Sequence, residues 1–208
     1  SAGSATCCAA IIACPVQSLA NIAPFSGAGV YAIYYRGSFA AYSSVSKQNS
    51  SGEMTAPIYV GKAIPRGGRK GGLGTESASS RSLSNRLAKH AKSINSCLNL
   101  NLEDFYFRAL VVDDIWIPLG ENMLIETYQP LWNRVIDGFG NNDPGKRRAT
   151  QFMSPWDTLH PGRPWAEKLA PNPISAPDYE QRVLDFFAGK EVPTVEYSPD
   201  ELDDEPDE

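Results

Sequence analysis

GVYAIYY, residues 29–35, is the stretch on which the fold depends. It is short, rich in aromatic and β-branched residues and opened by Gly29, a combination that predicts a buried strand. Residues 57–62, PIYVGK, predict a second strand, because Pro57 stands at the first position, where a missing N–H matters least. Residues 105–112 alternate well enough to predict a third. A small β-sheet is therefore expected.

Three further segments carry helical periodicity. The first spans 82–95 and places one apolar stripe along the helix: Leu83, Leu87, Ala91 and Ile94. The second opens at Pro118 and ends before Pro130, because proline is tolerated only in the first turn of a helix. The third spans 178–188, and its predicted inward residues are Val183, Leu184 and Phe187. Strands and helices in this order predict a mixed α/β (α+β) fold.

The chain divides by composition into an arm, a core, an extension and a tail. Residues 1–28 lack a clear period and are predicted to be an N-terminal arm. The core, 29–133, is followed by an extension, 134–190, that is expected to pack on it, and residues 191–208 are expected to be a disordered acidic tail.

Two insertions interrupt the predicted core. Residues 36–56 are rich in Ser, Gly and Ala and predict a loop or hairpin, whereas residues 65–81 are glycine-rich and cationic and predict a flexible loop.

The net charge of −5 conceals a basic body. Residues 196–208 carry eight acidic side chains and no basic one, and without them 19 basic residues stand against 16 acidic ones. A basic body with an acidic tail favours a polyanionic partner such as nucleic acid. The alternative is a basic surface that is merely solvated.

Cysteine and hydrophobic patterning argue against several classes of protein. The four cysteines are Cys7, Cys8, Cys14 and Cys97, and their spacing does not form a zinc motif with the two histidines. Free thiols in a reducing cytoplasm are expected. No stretch approaches the roughly 18 apolar residues of a membrane span, so no membrane association is predicted.

Some charged residues are placed oddly for folding alone. Glu121 precedes Leu124, Ile125 and Tyr128 at helical spacing, so it lies on the apolar face, where a carboxylate needs a metal, an arginine or hydrogen bonds. A favourable first-turn charge is the alternative.

Arg86 and His90 project from one flank of the 82–95 helix, because they are four residues apart. A guanidinium there can clamp a phosphate, and an imidazole can move a proton near neutral pH. A solvated helix edge is the alternative for this pair.

The first two predicted strands each carry a tyrosine, Tyr31 and Tyr59, for which core packing with a polar tip is the simplest interpretation. Gly61 lies on the same strand face as Tyr59, and a glycine inside a strand marks a close approach by a ligand or another backbone. Lys62 follows immediately.

Taken in order, these residues resemble the motifs of the GIY-YIG nuclease superfamily. Gly29-Val30-Tyr31 is similar to its first motif and Tyr59-Val60-Gly61 to its second, each with Val in place of Ile. Arg86 and His90 follow, and residues 121–133, ENMLIETYQPLWN, resemble the family's glutamate helix running into Pro and Asn. The resemblance covers residues 29–133, with His90 standing where many members have Tyr.

The resemblance implies a GIY-YIG fold, a three-stranded antiparallel sheet flanked by helices, and a set of catalytic roles. Glu121 would hold one Mg²⁺, while Arg86 and Lys62 would bind the scissile phosphate. Tyr31 is the candidate general base, its phenolate favoured by Lys62, Arg86 and the metal, with His90 assisting it or accepting the proton. Tyr59 would position water or phosphate, and Asn133 would orient the catalytic groups.

Enlarged loops resemble the superfamily's type II restriction endonucleases, in particular the group that recognises CCGCGG. This implies site-specific cutting of double-stranded DNA in a bacterial cytoplasm, without an organic cofactor. Two cuts at a palindrome call for two sites related by a two-fold axis, which predicts a homodimer. The candidate DNA contacts are Arg66, Arg69, Lys70, Lys146, Arg147, Arg148 and Arg163.

Two rival functions remain open. A repair or homing nuclease of the same superfamily would usually carry further domains or a separate DNA-binding module. A non-catalytic DNA-binding module would have no need for every catalytic position to be filled.

Overall fold

The computed structural model describes residues 2–65, 80–146 and 150–196. One antiparallel sheet organises this part of the chain, with strand order β1-β4-β2-β3. The strands are β1 (Gln17–Ser18), β2 (Gly29–Tyr35), β3 (Pro57–Ala63) and β4 (Phe105–Val111). Outside the described residues lie most of the 65–81 insertion and five of the candidate DNA contacts: Arg66, Arg69, Lys70, Arg147 and Arg148.

Seven α-helices occur in the described ranges. They are α1 (Ala2–Ile12), α2 (Ser43–Gln48), α3 (Ser82–Ser96), α4 (Ile117–Tyr128), α5 (Leu131–Arg134), α6 (Pro155–Leu159) and α7 (Ala176–Phe187). The three strands and three helices predicted from the sequence are therefore present, with bounds that differ by only a few residues. None of the helices described is both long and apolar enough to cross a membrane.

Strand β2 is the centre of the fold, and every one of its residues is buried. It pairs with β3 on one side, where Tyr31 lies opposite Gly61, and with β4 on the other. A strand covered on both faces needs apolar side chains at every position, which explains why GVYAIYY does not alternate with polar residues.

The two faces of the sheet carry separate cores. On one face Tyr31, Ile33 and Tyr35 pack with α3 and with the C-terminal extension. On the other, Val30, Ala32 and Tyr34 pack with residues of α1 and α4. Because alternate side chains of a strand point to opposite faces, one short stretch contributes to both cores.

The N-terminal arm contains a helix and a strand that the sequence did not predict. Residues 2–12 form α1, which packs against α4 and β4, and β1 adds a fourth strand to the sheet predicted to have three. The sequence of α1 has almost no amphipathic pattern, since it is nearly all small or apolar, so periodicity did not predict the helix.

The insertion at 36–56 is also more regular than the loop or hairpin expected. It forms a 3₁₀ turn, Ala40–Tyr42, followed by α2. Buried Asn49 closes it, because its amide donates to the Tyr35 and Ala56 carbonyls at 3.0 Å and accepts from the Ala56 N–H at 2.9 Å. These bonds satisfy backbone groups that would otherwise lack a hydrogen-bond partner where the insertion leaves the sheet.

The C-terminal extension contributes side chains to the core. Trp156 and Val183 are both fully buried in the core that contains Tyr31. Leu184, in contrast, was predicted to face inward and is 48% exposed. The helix begins two residues earlier than predicted, at Ala176, because the Ser175 hydroxyl caps it.

A buried polar chain ties the 36–56 insertion to the extension. The Tyr42 hydroxyl lies 2.5 Å from Nε2 of His160 and accepts from the Trp132 indole at 3.0 Å, and His160 Nδ1 contacts Asn99 at 2.9 Å. Burial lowers the pKa of His160 to about 3, so this ring is neutral at physiological pH. His160 is thus a structural histidine.

Candidate active site

Residues from one strand, two helices and the 131–141 segment meet at one hollow on the edge of the sheet. Its walls include these members of the sequence-predicted set: Tyr59, Lys62, Arg86, Glu121 and Asn133. Tyr31 and His90 lie directly behind Tyr59, with ring centroids 6.3 and 5.3 Å from that of Tyr59. The fold therefore gathers into one place all seven residues that the sequence singled out for catalysis.

Tyr31 and His90 form a buried hydrogen-bonded pair, with the phenol oxygen 2.6 Å from Nε2. Burial raises the pKa of Tyr31 well above its usual value, and the Arg86 guanidinium only partly offsets this. Burial also lowers the pKa of His90 well below its usual value, helped by the charges of Arg86 and Arg163. At neutral pH the phenol is therefore protonated and the imidazole neutral, and in the tautomer that carries its hydrogen on Nδ1 the Tyr31 O–H donates to Nε2.

This pairing changes the expectation for Tyr31. Its protein neighbours do not by themselves stabilise a phenolate, because desolvation outweighs the attraction of Arg86. The neutral imidazole instead offers an acceptor for the Tyr31 proton.

Gly61 makes room for the Tyr31 side chain. A Cβ at Gly61 would overlap the hydroxyl end of the Tyr31 ring, which lies across β3. The close approach predicted from a glycine in this strand is therefore real, but the approaching group is a tyrosine ring of the neighbouring strand rather than a ligand or backbone.

Asn133 holds the exposed edge of the sheet next to the hollow. Its amide oxygen accepts from the Val60 N–H at 2.8 Å, and its amide nitrogen donates to the Val60 carbonyl at 2.9 Å. Since β3 is an edge strand, this side chain acts as a neighbouring strand would. Asn133 thereby fixes the strand between Tyr59 and Lys62.

Lys62 and Glu121 form a buried ion pair. The lysine ammonium donates to Oε1 of Glu121 at 3.1 Å, and each side chain is only 8% exposed. The sequence predicted an inward-facing Glu121, and the structure confirms it, whereas Glu126 on the same helix is exposed. An ion pair taken out of water is costly, so folding alone gives little reason for it.

Glu121 fits a single hard cation. Nowhere in the described ranges do His, Cys, Asp and Glu residues gather in threes, as a metal cage made only of protein ligands needs. A divalent ion here would be held by one carboxylate, with water and phosphate oxygens completing its shell, which suits Mg²⁺. The donor set therefore agrees with the metal that the resemblance implies.

The extension supplies site residues that sequence reasoning missed. The Phe139 ring stacks on His90, with centroids 4.4 Å apart and planes at 22°, and meets Tyr59 edge-on at 4.9 Å. The Gly140 carbonyl accepts from the Arg86 guanidinium at 3.3 Å. The only signal was the glycine pair around Phe139, Gly138 and Gly140, and such pairs are common in ordinary loops.

Of the candidate DNA contacts, two are described. Lys146 is exposed, so its predicted role stays open. Arg163 is only 3% exposed and is bonded to Asp157 and to backbone carbonyls. This placement corrects the expectation that Arg163 contacts DNA, because its guanidinium is already occupied inside the protein.

Comparison with protein families agrees with this geometry. A family profile described as the Eco29kI GIY-YIG domain matches residues 23–187, more than three quarters of the chain. No curated protein matches the chain significantly. The match includes both strands with tyrosines, the glutamate helix and the extension that carries Phe139. The chain therefore belongs to the Eco29kI GIY-YIG domain family, a family of nucleases, and its substrate is DNA.

Proposed function

We propose that the protein is a type II restriction endonuclease that hydrolyses double-stranded DNA with Mg²⁺, at CCGCGG. The observation that carries the proposal is the convergence of a Tyr–His pair, an arginine and a buried Lys–Glu pair at one hollow. Hydrolysis of a phosphodiester needs an activated water, neutralisation of charge on the phosphate and a stabilised leaving group. The first two requirements have matching groups among these residues.

Arg86 and Lys62 would neutralise the phosphate. Arg86 is 6% exposed and Lys62 8%, and both line the hollow, where the low local dielectric strengthens their attraction for an anion. The planar guanidinium can bind two phosphate oxygens at once, whereas the ammonium acts as a point charge. When bound at Glu121, Mg²⁺ supplies Lewis-acid stabilisation of the phosphate and lowers the pKa of coordinated water.

Tyr31 and His90 would share the proton of the attacking water. The proton leaves water for the Tyr31 oxygen while the Tyr31 proton passes to Nε2 of His90, so no free phenolate has to form. The 2.6 Å hydrogen bond supports this path, and the pKa shifts of the two groups keep the phenol protonated and the imidazole neutral before the transfer begins. As the water oxygen bonds to phosphorus, the P–O bond to the leaving group breaks, and the leaving oxygen takes up a proton from solvent water. His90 then returns its own proton to solvent.

A second hollow adjoins the first and offers a path for the DNA backbone. Arg86 lines both, and Lys89, Lys92 and Lys168 lie along the second. Exposed lysines at this position favour contacts with phosphates that flank the scissile one. The basic residues of the 65–81 insertion and Lys146 to Arg148 remain proposed contacts. A cut in both strands of a palindrome needs two active sites related by a two-fold axis, so we propose a homodimer that acts in the bacterial cytoplasm.

Cleavage of a marked plasmid tests the function. We expect the protein with Mg²⁺ to linearise a plasmid carrying one CCGCGG, and to leave intact a matched plasmid with CCGAGG in its place. EDTA should abolish cutting. If both plasmids were cut at other discrete positions, the recognition sequence would not be CCGCGG. A smear of fragments would indicate a repair or homing nuclease of the same superfamily. A gel shift without cutting under any divalent cation would make the protein a DNA-binding module.

Separate substitutions of Tyr31 and His90 test the proton path. We expect Tyr31→Phe and His90→Ala each to slow cleavage by about 100-fold or more, the usual contribution of general base catalysis. Because His90 is neutral well below pH 6.5, the unaltered enzyme should show a nearly flat rate between pH 7 and 9. A free phenolate acting alone would give about a tenfold rise per pH unit over that range.

Single-turnover rates measured across pH 6–9 decide between the two. Full rate in Tyr31→Phe would remove Tyr31 from the chemistry. A tenfold rise per unit in the unaltered enzyme would assign the base to the phenolate, without His90.

A further inference from the structure

Arg163 is a buried arginine with a complete set of hydrogen bonds. Two of its N–H groups donate to the carboxylate oxygens of Asp157, each at 2.7 Å. The others reach three backbone carbonyls of one short loop: Gly138 at 2.7 Å, Phe139 at 2.9 Å and Asn141 at 3.3 Å. A guanidinium has five N–H groups, so all of them are used.

The surroundings of Arg163 keep it in this position. Its guanidinium carbon lies 4.7 Å from the ring centres of both Trp156 and Trp165, so two indoles contact the guanidinium. Asp157 is 2% exposed and also accepts from the Ser154 hydroxyl at 2.6 Å. The arginine, the carboxylate and the serine form one fixed unit.

The loop that this unit holds, residues 138–141, reaches the catalytic groups. Its Phe139 ring stacks on His90, and its Gly140 carbonyl accepts from Arg86. A displacement of the loop by even a fraction of an ångström would change the orientation of the imidazole and of the guanidinium.

Two glycines allow the loop to come so close. Gly138 has φ +107°, in the region that favours glycine, and a side chain there would overlap Ser154. A Cβ at Gly140 would lie 2.7 Å from the Tyr59 hydroxyl. The 138–141 loop therefore lies against Ser154 of the Arg163–Asp157–Ser154 unit on one side and against Tyr59 at the catalytic hollow on the other.

We propose that Arg163, paired with Asp157, is a positioning residue for cleavage, acting through the 138–141 loop on His90 and Arg86. The inference rests on the proposed nuclease function. It assigns Arg163 a place in the site that its distance along the chain from the other site residues would not suggest.

Comparison of Arg163→Lys with Arg108→Lys tests it. Arg108 is a matched control, since it is 6% exposed and donates to the carbonyls of Cys14, Glu53 and Met54, in segments that contribute nothing to the site described above. Lysine retains the charge but lacks the five N–H donors of the planar guanidinium, so each variant weakens the hydrogen bonds that hold the backbone near it. The measurements are thermal unfolding, affinity for an uncut duplex in EDTA, and the single-turnover cleavage rate.

We expect Arg163→Lys to cut about 10- to 100-fold more slowly, as small misplacements of catalytic groups do, with duplex affinity within about threefold. Arg108→Lys should lose stability but keep its cleavage rate. Near-normal cutting by folded Arg163→Lys, or an equal loss in Arg108→Lys, would overturn the inference. Asp157→Asn is the second variant, and if neither it nor Arg163→Lys folds, the role is architectural and the inference fails.

An imidazole signal separates this inference from the nuclease proposal. The chain has two histidines, so ¹⁵N-histidine labelling gives two sets of ring signals, and His90→Gln assigns them. The His90 signals should move in Arg163→Lys and stay in place in Arg108→Lys. If the unaltered protein cuts no DNA, the proposed function fails, and the ring signals alone then decide whether Arg163 positions His90.

Discussion

Glu121→Gln is expected to lower DNA cleavage by about 1,000-fold or more while leaving duplex affinity nearly unchanged. Glutamine keeps the size and most of the hydrogen bonding of the side chain but cannot neutralise a divalent cation. The charge that offsets the phosphate in the transition state would then be lost, and removal of one such electrostatic element costs about 10²- to 10³-fold even without a metal. Loss of the buried partner of Lys62 would add to the effect.

The control for this variant is Glu126→Gln. It removes the same charge from the same helix at an exposed position, so it should cut normally. Cleavage of the CCGCGG plasmid and gel shifts in EDTA measure the two properties. Near-normal cutting by Glu121→Gln would remove Glu121 as metal ligand and, with it, the proposed single-metal site. Loss of DNA binding instead would make Glu121 a structural residue.

Arg86→Ala is expected to reduce the single-turnover rate by about 10²- to 10³-fold, with about a tenfold loss of duplex affinity. The difference between the two effects has a physical reason. One phosphate contact among many contributes modestly to binding, but a buried guanidinium opposite the developing charge acts mainly on the transition state. Arg86 also binds the Gly140 carbonyl, so its removal frees one contact of the 138–141 loop.

Arg182→Ala is the matched control. Arg182 lies on α7, where its guanidinium carbon is 5.3 Å from the centre of the Tyr179 ring, and it is not among the residues that line the catalytic hollow. It should cut DNA at the normal rate. If Arg86→Ala lost affinity in proportion to its rate, Arg86 would serve binding only, and charge neutralisation at the scissile phosphate would have to come from Lys62 and the metal.

Local patterns predicted most of the catalytic core. A strand buried on both faces needs an unbroken apolar run, so residues 29–35 predicted a buried strand, and that strand lies at the centre of the sheet. The stripe Leu83, Leu87, Ala91 and Ile94 is buried as its spacing required. The burial of Glu121 followed in the same way, because helical spacing set it beside Leu124 and Ile125.

The sequence by itself thus predicted three strands and three helices, since each depends on spacing over a few positions. Their motifs, taken in order, carried the family resemblance, and that resemblance singled out the seven residues proposed for catalysis. Only the tertiary structure decided that α1 and a fourth strand complete the sheet and that Phe139 stacks on His90. It also moved Arg163 from the expected DNA surface into a buried pair with Asp157. The reason is physical: a local pattern shows that a side chain is apolar or charged, but the partner that satisfies an arginine is chosen by segments that meet only when the chain has folded.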